Sequence, residues 1–120
     1  MTLAVGDLNR SVSFYQDILG ARVVKLFAGG AYLDIGGFWL CLSLDAHVRQ
    51  LPHPDYTHLA FAIAAEDFAA MQAKLNDYGV VEWKKNKSEG ASFYFLDPDH
   101  HKLEIHVGSL QTRLKSMEAS

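Results

Sequence analysis

The chain has 120 residues and a formal net charge of -3 at pH 7, which predicts one domain, 1–120, around a single core. Its Lys and Arg residues are dispersed and form no basic stripe, which argues against a nucleic-acid-binding protein. No apolar stretch approaches the roughly 20 residues that a membrane-spanning helix needs. The single cysteine, Cys41, excludes an internal disulfide, and without a signal region the chain is predicted to be cytoplasmic.

The first half of the chain, residues 1–44, predicts one strand, one helix and three more strands. Residues 1–5 have strand character, and Asp7 is placed to cap a helix whose apolar residues keep helical spacing until Gly20. Strands are predicted at 22–26, 31–35 and 38–43, and the Gly36-Gly37 pair between the last two favours a tight hairpin. This half therefore has the order βαβββ.

The second half, residues 55–109, repeats that order. It predicts a strand at 58–63, a helix at 66–78 that ends at Gly79, and strands at 80–85, 92–96 and 102–107. Residues 97–101 form the last turn, residues 45–54 with two prolines form the linker, and residues 110–120 form a helical tail. The predicted fold class is α+β, built of paired βαβββ modules.

Strand periodicity places Lys102, Glu104 and His106 on one face of the last strand. Three ionisable side chains on one face need a water-filled or metal-filled cavity, unless that face is exposed to solvent. His58 is the only ionisable residue within the strand at 58–63, and a histidine with a distant carboxylate is the minimum material of a metal site. Aligning the two halves places Glu104 opposite Cys41 and leaves the counterpart of His58 one residue before Met1.

At these residues the chain resembles the vicinal-oxygen-chelate superfamily, and within it the fosfomycin-resistance glutathione transferases. The resemblance covers residues 2–114 and is most specific in GAYLDIGGFWLCLS (30–43), DYTHLAF (55–61), EWKKNKSEGASFYFLDPD (82–99) and HKLEIHVGSL (101–110). It implies the glyoxalase-like fold and a metal-dependent enzyme that conjugates glutathione to the epoxide of fosfomycin.

The resemblance also implies roles for individual residues. His58 and Glu104 match two of the family's three ligands for Mn(II) or another divalent metal, and a loop matches its K+ site at Asn86, Ser88, Gly90 and Ser92. The phosphonate is expected to be bound by Lys84, Ser88, Tyr94 and Arg113, since a dianion needs cations and hydroxyl donors. Thr2, Tyr32 and Lys84 match catalytic positions, with Trp39 beside the thiol. Cys41 is not expected to be a nucleophile, because nothing near it in sequence would lower its pKa.

Two departures from the family pattern stand out. The family's third ligand is a His in a motif of the form His-Leu-Thr-Leu-Ala-Val, and Met1 stands here in place of that first Leu. Either the natural start lies upstream, or the protein is a relative whose metal site has been lost. The other departure is His100, where the family turn usually carries Gly; His tolerates a left-handed backbone better than most residues.

Two other classes of function stay open. One is a ligand-sequestering protein of the bleomycin-resistance type, which needs no metal. The other is an epoxide hydrolase or dioxygenase of the same superfamily, for which Asp34 offers a carboxylate on the strand face of Tyr32. Because 120 residues enclose little on their own, we expect a homodimer. Its metal site is expected to take strands from both chains, as the resemblance also implies.

Overall fold

The computed structural model describes residues 1–87 and 90–119, and within them it contains two four-stranded sheets and three helices. The predicted α+β class with two βαβββ modules is confirmed. The elements are β1 (Thr2–Val5), α1 (Leu8–Ser13), β2 (Arg22–Phe27), β3 (Gly30–Ile35), β4 (Phe38–Leu44), β5 (Leu59–Ile63), α2 (Ala65–Tyr78), β6 (Glu82–Lys84), β7 (Ser92–Leu96), β8 (Lys102–Val107) and α3 (Leu110–Ala119). In this described part of the chain, no helix is both long and apolar enough to cross a membrane.

The chain divides into two compact units. The first contains Met1–Pro54 together with Asp97–His101, and the second contains Asp55–Leu96 and Lys102–Ser120. The turn between β7 and β8, which the sequence assigned to the second module, therefore belongs to the first unit. Each unit has its own buried side chains, among them Val5, Phe14, Leu33 and Leu40 in the first and Leu75, Phe93, Phe95 and Leu103 in the second.

The two sheets have the same strand order and the same register. The first sheet is ordered β1-β4-β3-β2, and the second β5-β8-β7-β6. Across the first sheet the register aligns one row of residues, and across the second it aligns the equivalent row. The first row is Thr2, Cys41, Tyr32 and Lys25, and the second is Ala60, Glu104, Tyr94 and Lys84. The predicted correspondence of Glu104 with Cys41 agrees with this register.

A register shift also recurs at the same place in both sheets. In the first sheet it lies between Val23 and Lys25, and in the second between Glu82 and Lys84. Such a β-bulge inserts one extra residue into an edge strand and re-aims the side chains beside it. In the second sheet the extra residue is Trp83, so the bulge sets the directions of Trp83 and Lys84.

Two turns use left-handed backbone. Gly36 and Gly37 have φ angles of 60° and 86° between β3 and β4, as a two-residue hairpin with positive φ at both positions requires. In the turn Asp97–His101, His100 has a φ of 67°, which is uncommon for a residue other than glycine. The turn is retained with a histidine at this position.

The helix of the first unit ends in a π-helical turn at Phe14–Ile18 that directs Tyr15 into the core. The phenol of Tyr15 is fully buried and donates to Asp97 Oδ2 at 2.6 Å. Asp97 Oδ1 accepts from the backbone N–H groups of Asp99 and His101, which closes the turn. Burial, and then the Asp97 carboxylate, raises the pKa of Tyr15 well above its ordinary value. Burial also raises the pKa of Asp97.

Replacing Tyr15 with Phe should destabilise the fold by about 1–3 kcal/mol, because a buried carboxylate loses a hydrogen-bond donor. The hydrogen bond favours ionised Asp97, so its loss raises the folded pKa of Asp97 further. A raised folded carboxyl pKa reduces stability as pH rises, so the defect should be larger at neutral pH and shrink on acidification. Urea unfolding at several pH values measures this. The control Tyr32→Phe, on a more exposed ring, should change stability by less than about 0.5 kcal/mol; equal losses in both variants would contradict the prediction.

Candidate active site

The strongest candidate site lies in the second unit, on the face of β8 that carries Glu104. Glu104 is 7% exposed, and its Oε1 lies 2.8 Å from Nε2 of His58, which directly precedes β5. The parallel pairing of β5 with β8 sets Ala60 beside Glu104 and Ala62 beside His106. Both neighbours on β5 are small, and together with His106 they line a cavity on this face of the sheet.

The hydrogen bonds of His58 define which of its nitrogens carries the proton. Nδ1 lies 2.8 Å from the carbonyl oxygen of Tyr56, and a carbonyl can only accept, so Nδ1 is the donor. In the neutral ring Nε2 is then an acceptor, yet it faces a carboxylate oxygen. Two acceptors at 2.8 Å require a proton or a cation between them. The pair is therefore suited to a divalent metal ion.

The donor set fits such an ion, since imidazole nitrogen and carboxylate oxygen both bind first-row divalent metals. The carbonyl that fixes the proton on Nδ1 is the kind of partner that orients a metal-binding histidine. Over residues 1–87 and 90–119, no cluster of three or more His, Cys, Asp or Glu side chains could hold a metal. In the repeated register Met1 lies at the position of Leu59, so the position equivalent to His58 precedes Met1.

Three aromatic rings surround the His58 imidazole. The ring centroids of Tyr56, Trp83 and Tyr94 lie 4.8, 5.2 and 5.9 Å from that of His58. Trp83 is itself fixed, because its Nε1 donates to the carbonyl of Leu103 at 3.1 Å. These contacts restrict the rotation of the imidazole and keep Nε2 directed at Glu104.

Lys84 is held beside this cluster by two tyrosines. Its Nζ donates to the Tyr56 hydroxyl at 2.6 Å and lies 4.6 and 4.8 Å from the ring centroids of Tyr56 and Tyr94. The hydrogen bond to Tyr56 is the main reason that the pKa of Lys84 is raised. Lys84 is therefore a fixed positive charge on the same face as Glu104, as binding of an anionic ligand requires.

The predicted potassium loop is only partly described, since Ser88 lies outside the described residues. Asn86 Nδ2 donates to the carbonyl of Gly90 at 3.0 Å, and Gly90 has a φ of 71°. Ser92 begins β7 and its hydroxyl contacts Nδ1 of His106. Arg113 lies on α3, where it lines a cavity of about 340 Å³ together with His106, Ala60 and Ala62.

The remaining predicted residues lie in the first unit. Thr2, Tyr32, Trp39 and Cys41 line one cavity of about 240 Å³ with Met1. The rings of Tyr32 and Trp39 pack edge to face with centroids 5.5 Å apart, and Trp39 is 67% exposed. Tyr32 and Trp39 therefore form an accessible aromatic surface.

Asp34, the carboxylate considered for hydrolysis, has both oxygens engaged. Oδ1 accepts from the backbone N–H of Gly37 at 2.8 Å, and Oδ2 lies 3.3 Å from Nη2 of Arg22. These contacts stabilise the β3–β4 hairpin. They give Asp34 a structural role.

Sequence reasoning did not assign Tyr56 and Trp83 to the site. Tyr56 stands two residues before His58, so strand periodicity carries a signal that both side chains lie on one face. Trp83 gives no such signal, because its direction depends on the bulge in β6. A bulge cannot be located from one strand's residues alone.

A family model for the Glyoxalase/Bleomycin resistance protein/Dioxygenase superfamily matches residues 1–105. The chain is 53% identical over 116 residues to glutathione transferase FosA of Serratia marcescens, covering 95% of this chain and 82% of that protein. It is 38% identical over 119 residues to metallothiol transferase FosB of Bacillus licheniformis, covering 96% of this chain and 77% of that protein.

Solved structures similar to this chain include fosfomycin resistance proteins. The fosfomycin resistance protein FosX of Listeria monocytogenes at pH 6.5 matches with a TM-score of 0.85 and 32% identity, covering 97% of this chain and 94% of that one. A variant of the same FosX, complexed with Mn(II) and 1S,2S-dihydroxypropylphosphonic acid, matches with a TM-score of 0.82 and 32% identity, covering 97% and 93%. The resemblance inferred from the sequence is confirmed. The chain belongs to the glyoxalase, bleomycin resistance protein and dioxygenase superfamily and, within it, to the fosfomycin-resistance proteins.

Proposed function

We propose that the protein inactivates fosfomycin by metal-dependent conjugation of glutathione to the epoxide. The observation that carries the proposal is the His58–Glu104 pair, whose facing atoms need a proton or a cation between them and which lies beside a fixed lysine. The Mn(II) in the FosX complex supports a divalent metal at these residues. The 53% identity with FosA favours glutathione as the thiol, whereas FosB is named for a metallothiol activity.

His58 and Glu104 would hold the metal, which supplies Lewis acidity to the epoxide oxygen when bound. Lys84 offsets charge on the phosphonate, and its clasp by Tyr56 and Tyr94 orients the ammonium before the ligand arrives. Arg113 offers a planar donor fork to the same group, and Ser88 and Tyr94 offer hydroxyls. We assign a K+ ion to the loop containing Asn86, Ser88, Gly90 and Ser92, where it adds positive charge.

In the first unit we assign the thiol to the cavity that Tyr32, Trp39 and Thr2 line. Tyr32 is the residue proposed to accept the thiol proton, and Thr2 the one that contacts the reacting oxirane. Cys41 shares the cavity but is not assigned as a nucleophile. Glutathione keeps thiols reduced in the cytosol, so the cytoplasm is the compartment that we propose.

Hydrolysis of the epoxide is the second candidate, because the FosX structure holds the dihydroxy phosphonate. The engagement of both Asp34 oxygens counts against that residue as the base. A protein that only sequesters its ligand would leave fosfomycin unchanged. The three functions therefore differ in the product that they release.

Incubating the protein with fosfomycin, glutathione and Mn(II) should yield the glutathione adduct, detected by mass spectrometry and phosphorus NMR. Replacing Glu104 with Gln should lower kcat/KM at least 100-fold, because a neutral amide is a poor substitute for a carboxylate on a divalent cation. The matched control is Glu66→Gln at an exposed position of α2, which should retain full activity. A diol, or unchanged fosfomycin, would overturn the conjugation proposal.

Replacing Tyr56 with Phe should keep the ring over Lys84 but remove the hydroxyl that accepts from it. Because that hydrogen bond raises the pKa of Lys84, the pKa should fall in the variant. The alkaline rise in KM for fosfomycin should then move to lower pH, whereas Lys84→Met should raise KM about tenfold or more at every pH. Lys85→Met, a neighbouring and more exposed lysine, serves as the control. An unchanged pH profile for Tyr56→Phe would show that the hydroxyl does not act on Lys84.

We also propose that the protein is a homodimer whose metal site is shared between chains. The first unit exposes apolar side chains on β2 and β4, including Val24, Leu26 and Trp39, which are 54%, 55% and 67% exposed. Such a surface is typical of a protein–protein contact. Sedimentation velocity at micromolar concentration should give the mass of a dimer. A monomer with full activity would refute this assignment.

A further inference from the structure

His106 lies next to the proposed metal site but has no assigned role. It stands two residues after Glu104 on β8, so both side chains lie on the same face of the sheet. Its Nδ1 contacts the Ser92 hydroxyl across the β7–β8 pair and lies 3.6 Å from Glu104 Oε2. His106 therefore stands between the start of β7 and the buried carboxylate.

The Glu104 carboxylate has an imidazole on each side. Oε1 faces His58 at 2.8 Å, and Oε2 faces His106 at 3.6 Å. The first distance is that of a close polar contact, and the second is longer than a hydrogen bond, so His58 and His106 cannot have equal roles. His106 limits rotation of the carboxylate about its terminal bond while leaving Oε1 directed at His58.

The backbone that precedes β7 runs close to the end of β8 that carries His106. A Cβ added to Gly90 would lie 3.7 Å from His106 Cε1 and only 2.9 Å from the carbonyl oxygen of Val107, so only glycine fits there. The N–H of Val107 also donates to the carbonyl of Ala91 at 2.8 Å. Ser92 therefore contacts the His106 ring, and the Gly90 backbone runs close to the end of β8 that carries His106.

We propose that His106 is a positioning residue: through its Nδ1 contacts, it transmits the placement of Ser92 to the Glu104 carboxylate and so tunes the metal affinity. The inference rests on the metal site proposed above. Partners that orient a metal ligand typically account for about 10–100-fold in affinity. His106 acts through Glu104 and is not itself assigned as a ligand.

Two replacements separate the proposed role from simple packing. Asn at position 106 keeps a polar nitrogen or oxygen where Nδ1 lies, whereas Gln moves it to the position of Nε2. His106→Asn should bind Mn(II) within about threefold of the unchanged protein, and His106→Gln and His106→Leu should bind about tenfold more weakly. Calorimetric titration with Mn(II) measures these affinities.

The variant Ser92→Ala tests the contact between Ser92 and His106 independently. Because Ser92 is also assigned to the K+ loop, these titrations are run in buffer without K+. If Ser92 acts on Glu104 through His106, the double variant Ser92→Ala, His106→Leu should then bind Mn(II) no more weakly than His106→Leu alone. Additive losses, or an Asn variant as weak as the Leu variant, would overturn the positioning role.

A measurement on the metal-free protein tests the role of His106 independently of metal binding and of activity on fosfomycin. Nitrogen-15 NMR should show the His58 Nε2 resonance shifted in both Ser92→Ala and His106→Leu, because Glu104 reorients in each. A shift in both variants supports the role of His106 even if the protein fails to bind Mn(II) or to conjugate fosfomycin. An unchanged His58 resonance in both variants overturns it.

Discussion

The Glu104 carboxylate lies buried against Nε2 of His58, which in the neutral ring has no proton to donate, because Nδ1 donates the ring's proton to the carbonyl of Tyr56. Burying an ionised carboxylate without compensation costs several kcal/mol, so the arrangement is stable only with a proton or a cation between the two atoms. Other parts of the second unit hold the two side chains of this contact in place. The aromatic rings restrict rotation of the His58 imidazole. The small residues Ala60 and Ala62 on β5 line a cavity on the same face.

The same scaffold appears twice in the chain with different chemistry. Both rows contain a tyrosine followed by a lysine across the bulged edge strand, at Tyr32 and Lys25 in one and at Tyr94 and Lys84 in the other. The positions nearest the parallel pair differ, because Cys41 in the first row replaces the carboxylate of the second. A repeated backbone thus places side chains at fixed positions, and substitution at one of them decides which unit offers a buried carboxylate there.

Periodicity and the repeat were sufficient to predict the order of strands and helices along the chain, the hairpin at Gly36-Gly37, the helix end at Gly79, and the shared face of Glu104 and His106. These features depend on local backbone preferences and on an alternation that sequence displays directly. The contact of His58 with Glu104 and the clasp of Lys84 by Tyr56 were not predictable, because they join residues 46 and 28 positions apart in the chain. The same holds for Tyr15 and Asp97, which meet across 82 positions.

The bulges in β2 and β6 also affect how readily the edges of the two sheets can pair with strands of other chains. β2 and β6 are edge strands, and an edge offers unpaired backbone donors and acceptors to any extended peptide. A register shift at the same place in each edge interrupts that regular ladder and increases the local twist. The irregularity that sets the directions of Trp83 and Lys84 thus also makes β6 a poor template for aggregation.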